Sequence, residues 1–310
     1  MKKSVPHVIR LLLIVVPMCV SFLGIAQNDV QISYFMANEL AFNPSFAGAN
    51  EGLQASLLAR QQWVGFDKAP ATQTLNVDYK SKIGGIGIYV LNDGLGYEWS
   101  THAKFLYAYH IALAEHTQLS AGFGAGVYHK QLDASEFRYQ NPITPDPEGM
   151  YATENSLQPT LDAGIHLSHK NLIVGISSTH ITQAFKKSDF FMLPRHFYGY
   201  LQYQYDASQT ISIVPTLYIK SGGYISQYEG NCNVYIKNKF WVGATYRDNE
   251  SVVALAGIIL KEKLKIGYAY DYSIGPIKPY SNGNHEIILS FRFVPEVIDK
   301  NYYQSTRLFN

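Results

Sequence analysis

The sequence predicts an all-β fold, a transmembrane outer-membrane β-barrel of about fourteen antiparallel strands with short periplasmic turns and longer extracellular loops. Three observations carry this expectation. The 310-residue chain opens with an export signal and has no later apolar stretch long enough for a membrane helix. Charged residues make up 16%, below the roughly 25% of soluble domains, while 24 tyrosines and 16 phenylalanines bring aromatics to 14%. The connections between strand-like segments alternate between long and short, the pattern of a barrel with looped outer and tight periplasmic ends.

The first element is the segment MKKSVPHVIRLLLIVVPMCVSFLGIAQN. Lys2, Lys3 and Arg10 form a positive start, Leu11 to Phe22 is apolar, and Gly24-Ile25-Ala26 is a small-x-small end. This is the layout of a secretory signal peptide over residues 1–26, with cleavage expected between Ala26 and Gln27. The apolar core is shorter than the ~20 residues that span a bilayer. Pro17-Met18 are poor neighbours for a lipoprotein site at Cys19. Removing the signal leaves Cys232 as the one cysteine, so no intrachain disulfide can form. A formal net charge of +1 argues against nucleic acid as an electrostatic partner.

Residues 27–52 follow, including NDVQISYFMANELAFNPSFAGAN, which has no clean period. Tyr34, Phe35, Phe42 and Phe46 are too apolar for a solvated tail. This segment is expected to pack inside or beneath the barrel.

From residue 53 to 293 the chain reads as short strands of period two. In KLKIGYAYDYS, Leu264, Ile266, Tyr268, Tyr270 and Tyr272 share one face; Lys265, Gly267, Ala269 and Asp271 share the other. In HEIILSFRF, Ile287, Leu289, Phe291 and Phe293 oppose Glu286, Ser290 and Arg292. Phe240, Val242, Ala244 and Tyr246 repeat the pattern, as do Leu161, Ala163, Ile165 and Leu167 against Asp162, Gly164 and His166. Small and charged residues on one face suit a wet lumen, and tyrosines near strand ends suit interfacial girdles. The turns SKI, LAE, SHKN, DASQ, KNK and KEK are short; the alternate connections, 63–71, 93–98, 132–156, 180–194, 220–225, 247–250 and 274–284, are mostly long. An even strand number puts both termini in the periplasm, including a C-terminal tail at 294–310. Pro215 lacks a ladder donor, so a bulge or an offset strand is expected there.

The search for chemistry finds little. His166-x-x-His169 places two rings on opposite faces of a strand, which does not make a metal site. Gly122-x-Gly124-x-Gly126 lies within a strand with no helix after it to hold phosphate, so it reads as small residues lining the wall. No Gly-x-Ser-x-Gly elbow is present. No catalytic residue, cofactor or metal is expected. The loop DASEFRYQNPITPDPEGMYATENS carries Asp146, Glu148 and Glu154 among three prolines and reads as a solvated outer loop.

Two motifs resemble the paired signatures of the PorP/SprF family, outer-membrane proteins of the type IX secretion system and gliding machinery of Bacteroidota. The first is QISYFMANELAFNPSFAGAN; the second is ARQQWVGFDKAPATQTLNVD, with its knot Gln62-Trp63-Val64-Gly65-Phe66-Asp67. The resemblance continues through GGIGIYVLNDGLG to the final aromatic strand. It implies a non-enzymatic barrel that anchors or helps export a secreted, adhesin-like surface protein through its C-terminal sorting domain. It also implies, as an alternative, an apparatus component touching periplasmic lipoproteins and peptidoglycan-linked subunits. A passive pore for small solutes is the competing class. If a partner is gripped at the outer mouth, Trp63, Phe66, Tyr139, Tyr151, Phe190, Phe191 and Tyr280 are the aromatic candidates, with Asp67 and Arg138 as charged ones. In the knot, Gly65 would permit a tight turn, Trp63 and Phe66 would wedge into the mouth, and Asp67 would accept backbone N–H bonds.

Overall fold

The computed structural model describes residues 29–137, 153–182, 193–222 and 225–294. They form one closed antiparallel sheet of strands β1 (Leu53–Gln61), β2 (Ala71–Ser81), β3 (Gly84–Leu95), β4 (Glu98–Ala114), β5 (Thr117–Leu132), β6 (Glu154–His169), β7 (Leu172–Thr179), β8 (His196–Tyr203), β9 (Tyr205–Ser208), β10 (Ile211–Ser221), β11 (Ser226–Ile236), β12 (Phe240–Arg247), β13 (Ser251–Leu260), β14 (Leu264–Ser273) and β15 (Asn284–Phe293). Neighbours in sequence are neighbours in the wall, and β1 pairs with β15, from Leu53↔Phe293 to Gln61↔His285, to close it. Closure leaves no unpaired sheet edge in the bilayer. Among the described residues, no helix is long and apolar enough to cross a membrane.

The wall has fourteen strands, because β8 and β9 are two halves of one. Thr216 pairs with Gln202 and Ile213 with Tyr205, and the ladder lapses between them. Pro215 sits in that gap while keeping its register with Cys232 on the other side. A proline has no N–H to give, so one of its two neighbours must forgo a bond. A register shift at Ile211/Ser212 follows three residues from the proline.

Alternation decides what faces lipid. In β14, Lys265, Gly267, Ala269 and Asp271 are buried towards the lumen, and Tyr268 and Tyr272 are exposed on the outside. In β15, Glu286, Ile288 and Ser290 turn in; Ile287, Leu289, Phe291 and Phe293 turn out. The outward phenylalanines, isoleucines and leucines are exposed in isolation because their solvent is hydrocarbon.

The tyrosines divide between the two faces. Tyr79, Tyr109, Tyr205, Tyr228, Tyr246 and Tyr272 stand near strand ends on the outer surface, as girdle residues do. Tyr89, Tyr198, Tyr200, Tyr218 and Tyr235 are buried in the lumen instead. Girdles therefore account for only part of the tyrosine content.

Those inward rings meet Asp29–Gly52, which occupies the lumen. Three 3-10 turns, Phe35–Ala37, Glu39–Ala41 and Pro44–Phe46, fold it compactly. Asn43 caps the third turn by accepting the Ser45 N–H at 3.0 Å, with Pro44 at the first position, where no donor is needed. Phe42 lies 5.0 Å from Tyr218 and 5.8 Å from Tyr200, ring to ring. Phe46 stacks on His166 at 4.3 Å.

The direction of this plug corrects one expectation. Asp29 contacts His180 and His196, at the outer ends of β7 and β8. Gly48 and Gly52 reach Asp78 and Lys80 beside the periplasmic β2–β3 turn. The segment thus descends the whole lumen before β1 begins. The even strand count returns Leu53 and Phe293 to the periplasmic end, but residue 29 lies at the outer mouth. Strand parity fixes where the wall starts and says nothing of how the chain arrives there.

Candidate functional site: the plugged lumen and its outer mouth

Glycines make room for the plug. A Cβ at Gly122 would lie 2.2 Å from the Ser45 nitrogen, one at Gly85 1.8 Å from the Ala47 oxygen, and one at Gly164 2.1 Å from Asn43 Oδ1. Gly122 and Gly164 pair across β5 and β6, so they form one notch under the Pro44–Phe46 turn. The Gly122-x-Gly124 stretch does line the wall, and its job includes seating the plug backbone. His166 faces in, with Nδ1 2.9 Å from Ser45 Oγ, while His169 is exposed on the other face.

A buried ionic network holds the outer half. Arg60 reaches Asp271 at 2.9 Å and Glu286 at 3.1 Å. Arg247 reaches the same Asp271 at 2.9 Å and Glu229 at 3.3 Å. The plug is wired into this network. Glu286 accepts the backbone N–H groups of Ser33 and Tyr34, and Gln31 donates to Glu229 at 2.6 Å. Buried charges are tolerated only when paired in this way. The Tyr34 hydroxyl donates to the Tyr268 carbonyl at 2.9 Å. Lower down, Lys104 binds Asp162 at 2.7 Å and the Ala41 carbonyl at 2.8 Å. Beside the plug, between it and the wall, lies a cavity of about 350 Å³, lined by Asp29, Phe35, Tyr128, Lys130, His196 and Tyr218 among others.

At the rim, the Trp63–Asp67 knot is a clasp. The Trp63 N–H donates to Asn284 Oδ1 at 2.8 Å, and the Val64 N–H to the Gly283 carbonyl at 3.1 Å. The Asn282 N–H returns a bond to the Val64 carbonyl at 2.9 Å. The first outer loop is therefore stitched to the last, over the β1–β15 closure. On its other side, the Gly96 N–H bonds to the Lys68 carbonyl at 3.0 Å, and Lys68 Nζ sits 3.4 Å above the Tyr97 ring. The Asp133 N–H then bonds to the Tyr97 carbonyl at 3.0 Å, continuing the belt to β5. Gly65 has φ +110°, as a tight turn needs, and Trp63 itself has φ +45°.

Trp63 and Phe66 lie 6.3 Å apart, ring to ring, and Phe66 stays exposed at the rim rather than entering the lumen. Asp67 is exposed and takes no hydrogen bond from the described residues. Tyr280 is 72% exposed. Arg138, Tyr139, Tyr151, Phe190, Phe191, the cleavage pair Ala26 and Gln27, and the tail at 295–310 lie outside the described residues. At the base of the third outer loop, hydrogen bonds from the Ser135 hydroxyl and N–H hold the Asp133 carboxyl below its ordinary value.

Sequence reasoning did not find Arg60, Arg247, Glu229, Asp29, His180 or His196. Asp271 and Glu286 stood on the polar faces of their strands, but nothing local shows which charge will meet which.

The geometry defines a plugged outer-membrane β-barrel. Residues 24–291 match the family described as type IX secretion system membrane protein PorP/SprF, and the chain belongs to that family. No match was found among curated proteins. Among solved structures, the toluene transporter TbuX of Ralstonia pickettii is 12% identical, with a TM-score of 0.51 over 81% of this chain and 92% of that one. The P. putida toluene transporter TodX is 10% identical, with a TM-score of 0.49 over 82% and 93%. The likeness to TbuX extends to the barrel fold. Family membership makes the protein a secretion-system component of the outer membrane, and the family is not one of enzymes.

Proposed function

We propose that this barrel anchors, or helps export, a secreted surface protein bearing a C-terminal sorting domain, and that it meets that protein at its extracellular mouth. The observation that carries the reading is the plug. Asp29–Gly52 runs through the lumen from rim to rim and is tied to the wall by Glu286, Lys104 and Asp78. A folded or unfolded client is thus met by the mouth, not by a free channel. The rim supports this use, since its loops are stitched into a belt that presents Phe66 and Tyr280 to the outside. Exposed aromatics on a rigid frame are what a protein partner exploits. The signal peptide, expected to end at Ala26, would deliver the chain to the periplasm.

The test is a deletion strain with fractionated cells. The account expects a specific surface protein to appear in the medium, or to be lost, and to return with the wild-type gene. Surface proteins all still attached and secreted would remove the proposal.

A further inference from the structure

We propose that Asp29, His180 and His196 form a transition-metal site, of the zinc type, that clamps the leading end of the plug to the outer mouth. The three side chains offer ligand atoms that all lie within 4.8 Å of one another. Asp29 Oδ2 and His180 Nε2 are 3.5 Å apart. A tetrahedral ion with bonds of about 2.0–2.1 Å needs its ligands roughly 3.3 Å from each other, so this edge is nearly set.

The surroundings orient each ligand. His196 Nδ1 bonds to the Pro194 carbonyl at 3.0 Å, which fixes a proton there and leaves Nε2 with its lone pair. Nε2 faces Asp29 and accepts its backbone N–H at 3.1 Å, a bond that coordination of the ion would replace. The Tyr198 hydroxyl donates to Asp29 Oδ2 at 2.5 Å. Outer partners of this kind, on imidazole and carboxylate alike, are how metal ligands are held in register.

His180 is the second wall ligand. It is 1% exposed, and its Nδ1 has no hydrogen-bond partner. Its backbone sits at φ +56°, a region costly for a residue with a side chain, while its N–H is held by Asp162 Oδ1 at 3.0 Å. The open nitrogen points away from Asp29, so it is Nε2, 3.5 Å from Asp29 Oδ2, that would bind the ion. Two imidazoles and one carboxylate suit zinc and disfavour magnesium or calcium, which prefer all-oxygen shells. Lys220 approaches the site but donates to the Asp29 carbonyl and to Gln31, leaving the carboxylate to the ion. Asp29 and His196 also line the 350 Å³ cavity, which gives water access to the fourth position. The two histidines belong to the wall and the aspartate to the plug, so an ion here ties one to the other.

The experiment uses the full mature barrel in detergent, carrying an affinity tag without histidine. Zinc is titrated against a chromogenic chelator, and the unfolding temperature is read with zinc, with magnesium and with EDTA. The expected result is one zinc per barrel, a higher unfolding temperature with zinc alone, and affinity lost by about 100-fold or more in His180→Asn and in His196→Gln. Asp29→Asn, which leaves the wall untouched, should lose about tenfold or more even if a wall variant fails to fold. His169→Gln, on the outer face, should change nothing. No zinc bound by the folded wild type, or binding unaltered in the folded Asp29→Asn barrel, overturns the proposal.

Discussion

Glu286, on the last strand of the wall, accepts the backbone N–H of Tyr34 in the plug at 2.7 Å. Its other oxygen takes the Ser33 N–H at 2.8 Å and pairs with Arg60 at 3.1 Å. One carboxylate thus joins the plug to the strand pair that closes the barrel. Removing one member of a buried ion pair typically costs about 3–5 kcal/mol. Glu286→Ala should therefore leave the wall able to assemble, since its ladder bonds are untouched, while the plug loosens. Limited proteolysis of the purified barrel should cut within 29–52 far faster than in wild type. Equal resistance would show that the network does not hold the plug.

Gly85→Ala is expected to be costly and Gly199→Ala nearly neutral. The new methyl at Gly85 would lie 1.8 Å from the Ala47 oxygen, whereas the nearest atom to one at Gly199 is 3.7 Å away. Overpacking of this kind typically costs about 1–3 kcal/mol. Melting midpoints from heat-modifiability gels compare the two variants, and equal midpoints would contradict the close seating of Ala47 on Gly85.

Phe46→Ala removes the ring that stacks on His166 and meets Tyr200 edge-on at 5.6 Å. Burial at 1% exposure puts the loss at about 3–5 kcal/mol. A variant that assembles and melts like wild type would show that the plug contributes little to stability.

The fold was legible in the sequence because a barrel wall has a period of two and each strand reports its own faces. KLKIGYAYDYS and HEIILSFRF announced Asp271 and Glu286 as lumen residues without any neighbour being known. The break opposite Pro215 was legible for the same reason, since a missing donor is a local property. The site was not legible. Asp29 meets His180 across 151 positions and Arg60 meets Glu286 across 226, and only the closed wall brings them together. The lumen tyrosines were misassigned because a ring at a girdle and a ring on a plug look alike in sequence.

The Asp133 carboxyl offers a pH test of the rim. Its folded value is depressed by the Ser135 hydrogen bonds, so the loop base is held at neutral pH and stays held as pH falls through the ordinary aspartate value near ~3.9. The bonds are lost only below that, at the depressed folded value. The Ser135 amide shift, followed by NMR in micelles, should titrate with a midpoint lower than that of a free aspartate. A midpoint at or above it would remove the cap.

Replacing Trp63 by alanine should loosen the rim without opening the wall. Its ring packs on Phe66, and its backbone N–H binds Asn284 in a left-handed conformation. Cross-linking yield between cysteines placed at 65 and 282 should fall in Trp63→Ala. An unchanged yield would show that the stitch survives on backbone bonds alone.

The central claim is that the lumen is occupied by the chain's own N-terminal segment, which leaves the outer mouth as the working surface. Single-channel recording in planar bilayers tests it most directly. The account predicts that wild-type protein conducts little, and that Gly85→Ala or deletion of residues 29–48 raises the conductance severalfold. Wild-type barrels that already conduct as open pores, with no further rise when the plug is removed, would contradict it.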